Sequence, residues 1–296
     1  MRIRHFWSLI LLTGLAVASQ PAAHGYKDRY KDSDSDSGQH APSKLSFELY
    51  QNYFIVVHGS VGPLKGLNFL FDTGASPSIL APRIASKLHL ATMPTVTSVL
   101  EGNIQSQAAI VPSLQLGPLQ LQNLPVVIGD LSFIQNAFPF QLDGIIGLDV
   151  FGQTAFEIDY RSHEIRFDPS PSSPGSIPFR IQRGLPIVDA TVNHTQVHLL
   201  LDTGAPSIIL FQDMPASGSK PVLQRAKTIG NFDRKRVQSI DLKLGETDFS
   251  HETAFVVLTR KDAGHDFDGV ISPAALGIAR VSVDLSQGKL TLTRNP

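Results

Sequence analysis

From about residue 45 onward, apolar and polar residues alternate in short runs, the period of half-buried β-strands. FIVVHGSV (54–61) and GLNFLFD (66–72) predict two strands around a turn. LPIVDATV (185–192) and TQVHLLLD (195–202) predict the same pair again, around Asn193-His194. Asn193-His194-Thr195 is formally a glycosylation sequon, but between two strands it reads most simply as a turn. One helix is expected where Pro82 precedes Ile84 and Leu88 on a single face. The corresponding stretch FQDMPASGS (211–219) predicts a loop, and a further short helix is expected near Leu148 or Ala274.

The pattern repeats over a longer distance. LDGIIGLDVFGQTAFEIDYRSHEIRFD (142–168) aligns without a gap on FDGVISPAALGIARVSVDLSQGKLTLT (267–293). Asp143 then meets Asp268, Gly144 meets Gly269, Gly152 meets Gly277 and Asp159 meets Asp284. FDTGA (71–75) recurs as LDTGA (201–205), Gly102-Asn103 as Gly230-Asn231, and Leu116-Gly117 as Leu244-Gly245. The order is conserved between the halves, so the chain reads as two copies of one folding unit. Their expected bounds are 44–168 and 177–296, joined by a Pro/Ser-rich linker at 169–176.

The first residues carry a different pattern. Arg2 and Arg4 precede an apolar stretch from Phe6 to Val17, and Ala16-Val17-Ala18 supplies small residues for cleavage. Residues 1–23 thus predict a signal peptide, with an uncleaved N-terminal anchor as the competing reading. No other segment approaches the ~20 apolar residues of a membrane span. Residues 24–43 are polar and predict a solvated tether. The DSDSDS run within them lacks the turn glycine and closing Glu of a calcium loop.

Composition narrows the chemistry. With 296 residues, 42% of them hydrophobic, the chain can bury one large core or two smaller ones. A formal net charge of −1 and 17% charged residues give no electrostatic footprint for nucleic acid. The absence of cysteine excludes disulfides, thiol catalysis and thiolate metal sites. For an exported chain it fits a bacterial periplasm or exterior. The ten histidines are scattered without the spacing of a zinc site, so no metal and no cofactor beyond water is expected. Gly-rich phosphate loops and Gly-x-Ser-x-Gly elbows are missing as well.

That leaves the two Asp-Thr-Gly triplets. Each follows an apolar run, LNFLF or VHLLL, and an acid at the end of a buried strand is costly unless it is paired or functional. A single triplet would read as an ordinary strand-capping turn. Two copies at equivalent places in a duplicated fold would be brought together by a twofold relation. Apposed carboxylates cannot both ionise cheaply, so the pair shares a proton. The charged member can activate a water, and the protonated member can polarise a carbonyl and later protonate a leaving amine.

This arrangement resembles the aspartic peptidases, the retropepsin-like branch most closely. The family pattern of two apolar residues, Asp-Thr/Ser-Gly-Ala/Ser, then two apolar residues and Gly, appears as LFDTGA with IIG (145–147) and LLDTGA with VIS (270–272). The resemblance covers residues 45–294 and implies that Asp72 and Asp202 are the catalytic pair. It implies that Thr73 and Thr203 brace the two loops, with Gly74, Ala75, Gly204 and Ala205 completing them. Alanine rather than serine at 75 and 205 removes a hydroxyl that would stabilise the carboxylate, which implies an optimum at mildly acidic pH. Gly102-Asn103 and Gly230-Asn231 fall where the family places its flaps, and both suit a tight turn; ordinary surface hairpins are the alternative. Phe232 could offer substrate an apolar contact. Ser272 departs from the pattern, standing where the first copy has Gly147.

The expected fold is all-β, with two homologous lobes related by pseudo-twofold symmetry around a central cleft. The expected function is endopeptidase cleavage of an extended peptide or protein substrate. A monomer can complete the site, and a homodimer is left open. The alternative is a non-catalytic peptide-binding or scaffold protein on the same fold.

Overall fold

The computed structural model describes residues 14–15, 44–99, 102–151, 154–167, 175–214, 235–257 and 266–294. The tether at 24–43, most of the linker, residues 215–219 and Gly230 to Phe232 lie outside the described residues. Of the expected leader, Gly14 and Leu15 are described, paired antiparallel with Ser98 and Thr97.

The structure is nearly all strand. Phe54–Val61 and Leu64–Phe71 form an antiparallel pair, and Leu64–Phe71 runs parallel to Gly144–Ile146. Ile79–Leu80 then pairs antiparallel with Gly144–Ile146 and parallel with Leu119–Ile128. The later half has the same connections. Leu185–Val192 pairs with Thr195–Leu201, which runs parallel to Gly269–Ile271. Ile208–Leu210 pairs antiparallel with Gly269–Ile271 and parallel with Thr247–Val257. Short strands such as GII and GVI are flanked on both sides, so every position in them is buried.

A third sheet joins the halves. It runs Lys44–Tyr50, Glu164–Phe167, Ala155–Asp159, Ile278–Asp284, Lys289–Arg294 and Ile177–Gln182, antiparallel throughout. Its central register places Ala155 opposite Asp284 and Asp159 opposite Arg280, with Glu157 facing Ser282 between them. Glu157 and Ser282 are 125 residues apart, so a shift by that distance maps the pairing onto itself. A local twofold axis generates this kind of contact.

Local chemistry accounts for the turns. Asn193 and His194 both adopt positive φ (46° and 71°), as a two-residue hairpin loop requires. The Asn193 side chain donates from Nδ2 to the Met214 carbonyl at 2.6 Å and accepts at Oδ1 from the Asp241 amide at 2.8 Å. Both ends of that amide are therefore committed to the fold, which favours the turn reading of the sequon. The helix Pro82–Lys87 has proline in its first turn and buries Ile84 and Ala85. Leu88 packs half-buried beside them. Residues 211–214, at the corresponding place in the later half, form no helix. Leu148–Val150 is a short 3-10 helix, while the Ala274 region forms turns.

Phe71, Phe151, Phe156 and Phe167 fill the core beneath the first Asp-Thr-Gly loop. The Phe151 ring lies 5.0 Å from that of Phe71, 4.7 Å from that of Phe156 and 5.9 Å from that of Phe167, measured between centroids. All four are almost fully buried. Phe156→Ala is expected to destabilise the protein by about 3–5 kcal/mol, from lost transfer energy plus the cavity. Urea unfolding would show this as a lower midpoint at an unchanged slope.

Candidate active site

Each Asp-Thr-Gly triplet follows a strand that enters the core from its own half. Phe71 and Leu201 are the last strand residues, and the chain turns as soon as the aspartate is reached. The Asp72 amide donates to the Ile146 carbonyl at 2.9 Å, and the Asp202 amide donates to the Ile271 carbonyl at 3.0 Å. The loops therefore leave equivalent points of the two halves.

They meet in a reciprocal grip. The Thr73 amide donates to Thr203 Oγ1 at 3.1 Å, and the Thr203 amide donates to Thr73 Oγ1 at 3.0 Å. Each hydroxyl passes its own proton across the interface, Thr73 to the Leu201 carbonyl at 2.8 Å and Thr203 to the Phe71 carbonyl at 3.4 Å. Six buried polar atoms are satisfied by four hydrogen bonds, and the loops are fixed relative to each other.

The glycines decide how close the acids can come. A methyl group on Gly74 would lie 2.6 Å from Asp202 Cγ, and one on Gly204 would lie 2.8 Å from Asp72 Cγ. Each carboxyl group thus rests directly against the other half's glycine, where no side chain fits. The Gly74 amide donates to Asp72 Oδ1 at 2.8 Å, and the Gly204 amide donates to Asp202 Oδ1 at 2.7 Å. The two carboxyl groups also hydrogen-bond each other.

Both acids are buried, at 6% and 1% exposure for Asp72 and Asp202. Burial pushes the Asp72 carboxyl above its ordinary value, against the opposing effect of its hydrogen bonds. Burial pushes Asp202 well above, and the neighbouring Asp72 charge and the bond between the two push it in the same direction. Both carboxyl groups are thus raised, and the pair favours a state in which it shares one proton. Ala75 and Ala205 are fully buried and contribute no hydroxyl, so backbone amides supply the remaining donors.

Thus the structure brings together Asp72, Thr73, Gly74 and Ala75 with Asp202, Thr203, Gly204 and Ala205. The hairpin residues need a correction. Gly102 pairs with Val99 and Asn103 with Ser98, so both belong to the returning strand Gly102–Leu116. The register set near Thr92–Ala109 runs unbroken to the pair Val99 and Gly102, so these two residues extend the ladder instead of forming its turn. Ser272 is fully buried, and its Oγ accepts from the Ala275 amide at 3.4 Å.

Sequence reasoning missed Ser78 and Asp149. Asp149 accepts from the Ser78 hydroxyl at 2.8 Å and from its amide at 3.0 Å, behind the first loop. The available signal was an acid two places after the IIG run, but the second copy has Ala274 there, so the repeat gave it no emphasis. Among the described residues no cluster of three or more His, Asp or Glu is placed to hold a metal ion. No helix among them is long and apolar enough to cross a membrane.

A paired-carboxylate centre clasped between two β-halves defines the class as aspartic peptidase-like. A family model described as aspartyl protease matches residues 57–150, which include the first triplet and the IIG run. Over those residues the chain is similar to aspartyl proteases, and the match supports a function of the protease type. Among solved structures, basic 7S globulin from soybean matches at 10% identity and a TM-score of 0.47, over 85% of this chain and 94% of that one. No curated protein matches.

Proposed function

We propose that the protein is an aspartic endopeptidase that hydrolyses peptide bonds with a water held between Asp72 and Asp202. The mutual contact of the two buried carboxyl groups, each seated on the other half's glycine, carries this reading. In the resting pair one proton is shared; with it on Asp202, Asp72 is ionised. Asp72 takes a proton from water as the oxygen attacks the scissile carbonyl, while Asp202 donates its hydrogen bond to the carbonyl oxygen. The tetrahedral intermediate collapses when the proton gained by Asp72 passes to the leaving nitrogen. Carboxyl and amine products result, and the pair again carries one proton.

The substrate would lie extended in a cleft between the halves, with the hairpin of Thr92–Val99 and Gly102–Leu116 as its cover. That hairpin exposes Met93 and Ile104, which the pairing places on one face. We also propose export to a bacterial periplasm or exterior, from the leader-like N-terminus and the absence of cysteine.

The test is hydrolysis of an unstructured protein or mixed peptide pool across pH, with products identified by mass. The activity profile is expected to be bell-shaped with its maximum at mildly acidic pH, since both acids are raised and neither has a serine donor. A maximum below about pH 3 counts against the mildly acidic optimum, because the lower of the coupled titrations would then sit at or below an unperturbed carboxyl. Peptide binding with no cleavage at any pH would favour the binding-module alternative.

A further inference from the structure

The two catalytic loops sit alike but are held unequally. Five hydrogen bonds tie the first loop to the strand end behind it. The Asp72 amide donates to the Ile146 carbonyl at 2.9 Å and the Leu148 amide to the Ala75 carbonyl at 3.3 Å. The Ser78 amide and hydroxyl donate to the two oxygens of Asp149 at 3.0 and 2.8 Å. Ser78 Oγ in turn accepts from the Gly147 amide at 3.0 Å. Gly147 lies so close under Ala75 that a methyl group would be 2.2 Å from the Ala75 carbonyl oxygen.

In the second half the matching strand register aligns Ile79 with Ile209 and Ile145 with Val270. Ser78 then corresponds to Ile208, Gly147 to Ser272, Leu148 to Pro273 and Asp149 to Ala274. Of the five bonds, the Asp202 amide to the Ile271 carbonyl remains, at 3.0 Å. Proline at 273 has no N–H, alanine at 274 has no acceptor, and Ile208 has no hydroxyl. Ile208 is instead fully buried among apolar neighbours. These replacements are consistent with one another: one half uses a polar clasp and the other an apolar plug.

We propose that Asp149, acting through Ser78, is the positioning residue that fixes Asp72, while the loop of Asp202 is held chiefly by the threonine grip and packing. This rests on the assignment of Asp72 and Asp202 as the catalytic pair. A base must point its oxygen at the water within a few tenths of an ångström, and a carboxylate grip on the loop three to six residues downstream limits its rotation.

The experiment compares Asp149→Ala, Asp149→Asn and Ser78→Ala in the full chain, measuring kcat and KM for one cleaved peptide. It also measures affinity for the same peptide with a hydroxyl-bearing tetrahedral carbon at the scissile position. Asp149→Ala is expected to lower kcat about tenfold to a hundredfold with KM within about threefold, and to weaken the tetrahedral mimic in step with kcat. Asp149→Asn, which can still accept from the Ser78 amide and donate to its hydroxyl, should recover most of that loss. Ser78→Ala should fall between them, and it serves alone if Asp149→Ala does not fold. Unchanged kcat in a folded Asp149→Ala or Ser78→Ala overturns the proposal. So does a loss that Asp149→Asn leaves in full. If Asp72→Asn retains wild-type cleavage, the catalytic assignment itself fails, and the positioning role fails with it.

Discussion

Asp202→Asn is expected to reduce peptide cleavage by about a thousandfold while making the folded protein more stable at neutral pH. The first effect follows from removing the proton that polarises the carbonyl and balances the Asp72 charge. The second follows from linkage. Burial raises both carboxyl groups, Asp202 the more strongly, so the native protein binds more protons than the unfolded chain between about pH 4 and the native titrations. The stability owed to these groups is fully present below that window and is lost as pH rises through it. An amide at 202 cannot ionise and still donates a hydrogen bond to Asp72. The melting temperature of the variant should therefore exceed that of wild type at pH 7, and the gap should close as pH falls toward 4. Wild-type cleavage by the variant would sink the mechanism. A stability gap that widens on acidification would sink the protonation scheme independently.

Gly74→Ala should be nearly as damaging to activity, by a different route. The added methyl would stand 2.6 Å from Asp202 Cγ and within 2.9 Å of both its oxygens, so the carboxyl group or the whole loop must move. Neither can move freely, since Thr73 and Thr203 lock the loops to each other through four buried hydrogen bonds. A displacement of even 1 Å costs about a hundredfold in rate. Overpacking should also destabilise the fold by about 1–3 kcal/mol. Gly204→Ala presses on Asp72 at 2.8 Å and should behave similarly. Kinetics and urea unfolding on both variants would check this. An active, stable Gly74→Ala protein would show that the acids are not in the contact described.

The asymmetry behind the loops adds to that symmetry in front. Reciprocal contacts between Thr73 and Thr203 treat the two halves alike, whereas Ser78 and Asp149 support only the first. Mutual repulsion alone makes two such acids share one proton, but identical environments leave either acid equally able to hold it; a difference behind the loops supplies a bias.

Much of this was legible along the chain, and the reasons are local. Strand alternation around 54–72 and 185–202 has a period of two, and the structure pairs those segments as hairpins. An aspartate ending an apolar run and followed by glycine marks a turn wherever it falls, and its recurrence at matching offsets pointed to a meeting of two such turns. Pro82 at a helix start is equally local. By contrast, Gly102 and Asn103 were misplaced as turn residues, because the hairpin tip is set by register established at its far end, near Thr92 and Ala109.

The sequence by itself determined the all-β character, the doubled landmarks and the identity of the two acids that face each other. Those properties follow from side-chain period and from residues whose backbone preferences act within a few positions. Only the tertiary structure decided that Asp72 and Asp202 touch, that Gly74 and Gly204 are the surfaces on which they rest, and that Asp149 reaches back to Ser78. Such contacts join residues 70 to 130 positions apart, and their distances depend on how sheets stack and cross, which no local pattern encodes.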